Sequence, residues 1–439
     1  MTATTTAAAF WQPDDECMHR EELAQLQLER LQATLGRVAR NVPFYRDAFD
    51  AHRFDPDDVR ALADLRRLPF TTKGDLADAY PYGLLAVPLR EVVRLHGTGG
   101  SGNSGIVMGY TRNDIKTWAN LMARMLVAEG VTKDDVLQIT FDYGLFTGAF
   151  GVHFAAERLG ASVIPISSGN TKRQIKIMVD YKTTTLVSTP SYALYLIEAM
   201  RAAHLNMNTL SLRRVLVGGE PFSEETRQLI QDALHVTVTD NYAVSELLGP
   251  GVAGECLARN GLHLNEDHFY PEIIDPATLA PLPPGTEGEL VLTSLTKEAF
   301  PLIRFRTRDL TTLDPTPCPC GRTTARIKRM ERRSDDMLII KGVNVFPAQV
   351  EAVLHAADGT GPRYQLVVER RDALDVATVL VEVSASVFFD EIKLQAGYRD
   401  QLRHRLASEL GVHFEVKLVE KSTMDGVVGK GKVVDLRKR

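Results

Sequence analysis

The segment Leu95 to Tyr110, LHGTGGSGNSGIVMGY, sets six glycines and the hydroxyls of Thr98, Ser101, Ser104 and Tyr110 between apolar runs. Glycines let successive backbone N–H groups turn toward one point, and Ser and Thr hydroxyls add donors, which is how a loop holds a phosphate. A flexible surface loop has the same composition, so the side chains further along decide. Asp142-Tyr143-Gly144-Leu145-Phe146-Thr147-Gly148 gathers aromatic rings and glycine. Gly218-Gly219-Glu220-Pro221 and Asn241-Tyr242-Ala243-Val244-Ser245-Glu246 set carboxylates beside small residues. Arg304-Phe305-Arg306-Thr307-Arg308-Asp309, Arg333-Ser334-Asp335-Asp336 and Gly429-Lys430-Gly431-Lys432 add charge. Singly, each has a plain alternative: an aromatic loop at a core edge, a Ser-Glu helix cap, a solvated lysine tail.

Cys256, His263, Cys318 and Cys320 make up a Cys₃His set, a common complement for a closed tetrahedral zinc site. Zinc there would staple the segment after Glu246 to a later β-rich stretch. Reduced buried thiols are the alternative. Cys17 stands apart in the sequence, and four cysteines in 439 residues do not suggest a disulfide framework.

The elements that must carry these residues follow a rhythm. Leu28, Leu31, Leu35 and Val38 mark a helix over 20–40, and Ile115 to Leu126 another. Strands at 136–141, 162–166, 184–188, 214–217 and 236–240 alternate with helices at 148–159, 171–181, 191–203 and 223–234. This pattern predicts an α/β fold: a doubly wound parallel sheet with helices on both faces and ligands at the carboxyl ends of the strands. From 285 the texture becomes β-rich, with EGELVLTSL and LIRFRTRDLTTL placed to pair antiparallel. Strands at 365–370 and 377–384, a helix near 390–410 and a strand at 414–420 predict a small α+β domain, mobile by the resemblance below. The expected division is 1–333 and 334–439.

A net charge of −5, with 44% hydrophobic and 24% charged residues, gives no reason to expect a nucleic-acid partner. No apolar run reaches the ~20 residues that span a membrane, and the acid-flanked N-terminus is a poor secretory signal, so a cytoplasmic location is expected. A homodimer is the default for a soluble enzyme of this kind.

From Leu68-Pro69-Phe70-Thr71-Thr72-Lys73 to the C-terminus the chain resembles adenylate-forming enzymes of the acyl-CoA synthetase superfamily, and within it the phenylacetate–CoA ligases. YGLFTG (143–148), ERLGASVIPIS (157–167), TPSYALYL (189–196), EDHFYPEIIDP (266–276), RTRDL (306–310) and RSDDMLIIKGVNVFP (333–347) carry the resemblance. It implies attack of a carboxylate on the α-phosphate of Mg-ATP, then capture of the acyl-AMP by the thiol of CoA. The first step drives an anion onto an anion and requires positive charge and a metal. By this resemblance the 97–105 loop, with Thr98, Ser101 and Ser104, meets the β- and γ-phosphates, and Glu246 holds Mg²⁺. Tyr242, Ser245, Gly218, Gly219 and Glu220 line the nucleotide and acyl region. Asp309 meets the ribose, and Lys430 bridges carboxylate and α-phosphate, with Lys432 as rival because GKGK leaves the register open. Asp335 matches a hinge, Gly342 a thiol tunnel, and Phe141, Tyr143 and Phe146 an aromatic acyl pocket.

The chain also departs from the family. Against the usual SSGTTGKP, Ser104 replaces the lysine and Gly105 the proline, which would cost roughly 1.5–3 kcal/mol of phosphate affinity if nothing compensates. Asp142 stands where a small residue is usual; it would pair with an amino group on the acid or face solvent. Ala243 replaces a glycine. The acceptor therefore stays open between CoA and an amine, hydroxyl or carrier protein, with a weakly catalytic ligand-binding relative as the third reading.

Overall fold

The computed structural model describes residues 9–98, 105–330, 332–335, 337–357, 360–371, 374–383, 392–419 and 433–438. The chain divides into two compact units, the first built mainly from residues up to Ser334 and the second mainly from Asp335 onward.

In the first unit, strand β1 (Arg94–Gly97) pairs antiparallel with β2 (Val107–Tyr110), flanking the glycine-rich segment. Then β3 (Val136–Ile139), β4 (Ser162–Ile164), β5 (Thr185–Ser188), β6 (Arg214–Gly218) and β7 (Thr237–Val244) form a parallel array in the order β7-β6-β5-β3-β4. Local chemistry sets the helix ends. Thr111 and Asp114 cap the helix Arg112–Ala128 reciprocally, through Asp114 N–H to Thr111 Oγ1 at 3.1 Å and Thr111 N–H to Asp114 Oδ2 at 2.9 Å. The helix Gly148–Leu159 stops at Gly160, whose φ of 87° lies in the left-handed region.

The sheet is mixed rather than all parallel. After β7 the chain turns back through Ser245–Leu248 into β8 (Gly249–Glu255), which pairs antiparallel with β7. A connection this short permits only antiparallel pairing. Strand β9 (Leu262–Leu264) extends the sheet from β8, and β14 (Arg326–Ile327) and β13 (Leu313–Asp314) complete it. Asn241 to Val244, expected as loop, is the end of β7, with a bulge between Tyr242 and Ala243. A second, antiparallel sheet runs β10 (Phe269–Ile274), β11 (Gly288–Ser294), β12 (Phe305–Thr311), β15 (Arg332–Arg333). The β11–β12 pair is the one expected from texture. The helix Arg20–Asn41 buries Leu31, Leu35 and Val38 in a core shared with Leu290, Leu292 and Phe305 of that sheet.

The second unit opens on a hairpin of β16 (Leu338–Ile340) and β17 (Val343–Val345). Its four-stranded sheet has the order β20-β19-β18-β21, from β18 (Thr360–Arg371), β19 (Leu374–Val383), β20 (Phe414–Val419) and β21 (Val433–Asp435). The helices Pro347–His355 and Ile392–Leu410 supply Val350, Leu402 and Leu406 to its core.

Candidate functional site

The β7–β8 turn places Glu246 at the carboxyl end of the parallel array. Its side chain is buried, and Oε1 lies 3.2 Å from the Lys73 ammonium. Lys73 opens the helix Lys73–Asp78, which Thr72 and Asp75 cap. That helix is fixed to β12, since Thr71 N–H donates to Arg304 O at 3.0 Å and Arg306 N–H to Thr71 O at 2.9 Å. A cation at a helix N-terminus is placed against the helix dipole, so a facing carboxylate is what makes the position tolerable. Sequence reasoning named Lys73 only as part of a motif; Thr-Lys-x-Asp was the legible signal, as a helix start, but not its partner.

Asp309, on β12, faces β7. Tyr242 Oη donates to Asp309 Oδ2 at 2.6 Å, and Arg333 pairs with the other carboxylate oxygen. Burial first, then the Asp309 charge, pushes the Tyr242 phenol well up, so it stays a neutral donor. Three residues from β7, β12 and β15 thus share one hydrogen-bonded group.

The 142–148 loop leaves β3 and enters the helix Gly148–Leu159. At its base, the Phe141 ring lies in van der Waals range of Gly219, whose φ of 79° is the left-handed conformation that favours glycine. Half-exposed Glu220 follows it. Tyr143 turns back onto Phe150 and bonds His153 Nδ1 at 3.1 Å, whereas Leu145 and Phe146 are exposed. Asp142 is exposed and accepts from Ser167 Oγ at 3.1 Å. The loop tip is tied by Thr147 Oγ1 to Ser245 Oγ at 3.1 Å and by Leu145 O to β1, where it accepts from Gly97 N–H at 3.0 Å and lies 3.0 Å from His96 Nδ1.

In the second unit, Lys341 and Gly342 form the β16–β17 turn with φ of 50° and 79°. Positive φ at both positions is the hairpin turn that glycine favours. Asp335 begins the long C-terminal stretch of that unit, directly after Ser334 of the first. Thr98 is half-buried beside β1, its N–H donating to Ile106 O at 3.1 Å. Ser101, Ser104, Lys430 and Lys432 lie outside the described residues.

Cys256 follows β8, His263 sits on β9, and Cys318 and Cys320 lie between β13 and β14. Their ligand atoms all fall within 4.8 Å of one another. Cys256 and Cys318 sulfurs are 3.8 Å apart, and Cys320 Sγ is 3.4 Å from His263 Nε2. A tetrahedron with Zn–S of about 2.3 Å and Zn–N of about 2.0–2.1 Å has edges of about 3.8 and 3.6 Å, so the cluster has the dimensions of a zinc cage. His263 Nδ1 bonds Thr324 Oγ1 at 3.1 Å, which aims Nε2 at the centre. Hydrogen bonding from Cys256, aided by His263, holds the Cys320 thiol far below its usual value. The N-terminal segment closes over this cluster. Arg322 lies 3.7 Å from Cys320 Sγ and bonds Glu16 Oε2 at 2.8 Å. Cys17 is not as remote as its sequence position suggests: the Cys320 charge adds to burial and Glu16 in raising its pKa.

Two family models match: the AMP-binding enzyme over residues 106–296 and the AMP-binding enzyme C-terminal domain over 342–437. A phenylacetate-coenzyme A ligase of Escherichia coli (strain K12) is 46% identical over 420 residues, 95% of each chain. One from Thermus thermophilus is 44% identical over 446 residues, 98% of this chain and 100% of the other. Among solved structures, a 2-hydroxyisobutyryl-CoA ligase in complex with 2-HIB-AMP and CoA superposes with a TM-score of 0.92 at 29% identity, over 100% of this chain and 94% of that one. On these matches the chain belongs to the adenylate-forming superfamily, in the phenylacetate–CoA ligase-like family.

Proposed function

We propose that the protein activates an aromatic carboxylic acid with Mg-ATP to the aryl-AMP and then transfers the acyl group to CoA, as an AMP-forming acid–thiol ligase. The observation that carries this is the 43–46% identity to phenylacetate-coenzyme A ligases over nearly the whole chain. The geometry supports the roles in the first unit, and the family resemblance those of Lys430, Gly342 and Asp335. Glu246, buried on a short turn, would hold Mg²⁺ against the phosphates. Asp309, oriented by Tyr242 and Arg333, would accept from the ribose hydroxyls. Phe141 and Gly219 would form a flat wall for the aryl group, with Tyr143, Phe146 and Ser245 nearby. Lys430 would supply the moving charge at the α-phosphate and Gly342 the thiol path, with Asp335 as the hinge. Exposed Asp142, already bonded to Ser167, fits the solvent-facing alternative better than an amine-binding role.

Lys73 answers the missing phosphate-loop lysine. With Glu246 holding Mg²⁺, the Lys73 ammonium would be free to supply positive charge to the phosphates, as a point charge on a long stem. Lys73→Ala is expected to raise KM for ATP about 10- to 100-fold, the loss of one charged hydrogen bond of roughly 1.5–3 kcal/mol. An unchanged KM in a pyrophosphate-release assay would refute this role.

The Cys₃His cluster would hold one structural Zn²⁺, and four reduced thiols suit a reducing, cytoplasmic compartment. Among the described residues no helix is long and apolar enough to cross a membrane.

Mass spectrometry of reactions with ATP, Mg²⁺ and benzoic, aminobenzoic, hydroxybenzoic or arylacetic acids, with and without CoA, tests the reading and identifies the acid. Aryl-CoA masses that appear only with CoA are expected. Aryl-AMP without thioester would replace CoA by an amine, hydroxyl or carrier-protein acceptor.

A further inference from the structure

We infer that His96 is a positioning residue that couples the acyl loop to the phosphate loop, so that acid and nucleotide each strengthen the binding of the other. The inference deepens the reading above and rests on its assignment of residues 142–148 to the acid and 97–105 to the phosphates.

His96 is the third residue of β1, immediately before the glycine-rich segment, and its side chain is buried. Its Nδ1 lies 3.0 Å from Leu145 O, the same carbonyl that accepts from Gly97 N–H at 3.0 Å. Two adjacent residues at the stem of the phosphate loop therefore grip one atom at the tip of the acyl loop. The Leu145 and Phe146 side chains are exposed, and among the described residues a further polar anchor of that tip is the Thr147–Ser245 hydroxyl pair beside Glu246. Both anchors lead to the nucleotide side of the site.

The ring's surroundings argue that the N–H is why a histidine stands here. Tyr110, Trp118 and Phe150 box it, with centroids at 5.3, 5.7 and 5.3 Å. Burial pushes its pKa down, so the imidazole is neutral with one N–H. Because Leu145 O can only accept, that N–H is on Nδ1, and Nε2 is buried with no hydrogen-bond partner among the described residues. An apolar ring would fill the same box without leaving an unsatisfied nitrogen, whose desolvation is costly. The feature that only the histidine adds is the donor to Leu145 O. An acid packed against the 142–148 loop fixes Leu145 O and with it the stem at Gly97; a nucleotide that fixes the stem fixes Leu145 O. Linkage makes the effect equal in both directions.

The test is a set of affinities for phenylacetate and benzoate, measured by titration calorimetry with and without Mg²⁺ and α,β-methylene-ATP, which cannot be cleaved at the α–β bridge. The wild-type protein is expected to bind acid at least about 5-fold more tightly with the analogue, the low end of ordinary coupling. His96→Phe keeps the ring volume and removes the donor; its coupling factor should fall to about one. His96→Asn places an amide N–H near the position of Nδ1 and should keep most of the coupling. Uncoupled binding by the wild type overturns the inference, as does coupling that survives in His96→Phe or is lost equally in His96→Asn. Should His96→Phe not fold, His96→Leu is the alternative donor-free variant, and the wild-type and His96→Asn results remain decisive. If the analogue binds but no acid does in its presence, the assignment of the acyl loop itself fails, and this inference with it.

Discussion

Glu246→Gln is expected to cut aryl-adenylate formation about a thousandfold while leaving the melting temperature within a few degrees of wild type. The exchange keeps shape and removes charge. Its structural cost is small, because the ion pair it breaks joins Glu246 to a lysine whose side chain is 26% exposed, and a partly solvated ammonium is readily rehydrated. Its chemical cost is large. In-line attack on the α-phosphate builds charge where several anions already meet, and a Mg²⁺ held by Glu246 would neutralise it. A metal bound at such a centre is worth several kcal/mol, and about 4 kcal/mol is a thousandfold in rate. A single-turnover assay that follows aryl-AMP by mass across a Mg²⁺ titration reads the effect. The carboxylate would not be the ligand if the loss stayed below tenfold, or if millimolar Mg²⁺ restored the rate. Paired with Lys73→Ala, the variant also separates two kinds of positive charge: one should show mainly in the rate, the other mainly in the affinity for ATP.

Much of this site was legible because its parts obey local rules. The apolar spacing from Ile115 to Leu126 announces a helix, and the alternation from 136 to 240 a parallel sheet with loops at one end. Residue types alone brought together Cys256, His263, Cys318 and Cys320. What stayed hidden depends on contacts between distant segments. Gly249-Pro-Gly-Val-Ala-Gly-Glu255 reads as a loop, yet it is a fully buried strand. Its glycines are there for packing: a Cβ on Gly249 would lie 2.8 Å from the Trp118 ring, and one on Gly254 would lie 2.6 Å from Met125 Sδ. Lys73 could be placed at a helix start but not opposite Glu246, and Asp309 could be matched to a ribose contact but not to Tyr242 and Arg333. His96 carried no signal beyond its place before the glycine-rich run, because its role lies in the fold of another loop.

Loss of one cysteine from the Cys₃His cluster should cost more stability than any of these active-site changes. The purified protein is expected to carry one zinc per chain, and Cys256→Ser to lose it and melt on the order of 10 °C lower. The cluster is not an ornament on a finished sheet. Its ligands come from the end of β8, from β9 and from the segment between β13 and β14, where the strands are only two or three residues long and have few ladder hydrogen bonds of their own. Through Arg322 the same cluster reaches Glu16, whose carboxylate also accepts from Trp11 and Gln12 backbone N–H groups at 2.7 Å. Metal loss would therefore loosen the sheet edge and the N-terminal segment together. Structural zinc contributes about 10–16 kcal/mol of apparent binding energy in small domains that cannot fold without it. Here a preformed sheet supplies part of the order, so a cost near 5 kcal/mol is the reasonable scale, at about 2 °C per kcal/mol for a unit of this size. Acidification should act in the same direction, since zinc needs thiolates and a neutral imidazole, and protons compete for all four ligands. Inductively coupled plasma mass spectrometry and melting curves on wild type, Cys256→Ser and Cys17→Ser check the prediction, the last as a thiol beside the cage but not part of it. A wild-type protein without stoichiometric zinc, or a Cys256→Ser variant that melts with wild type, would leave the cluster as four packed side chains and no metal centre.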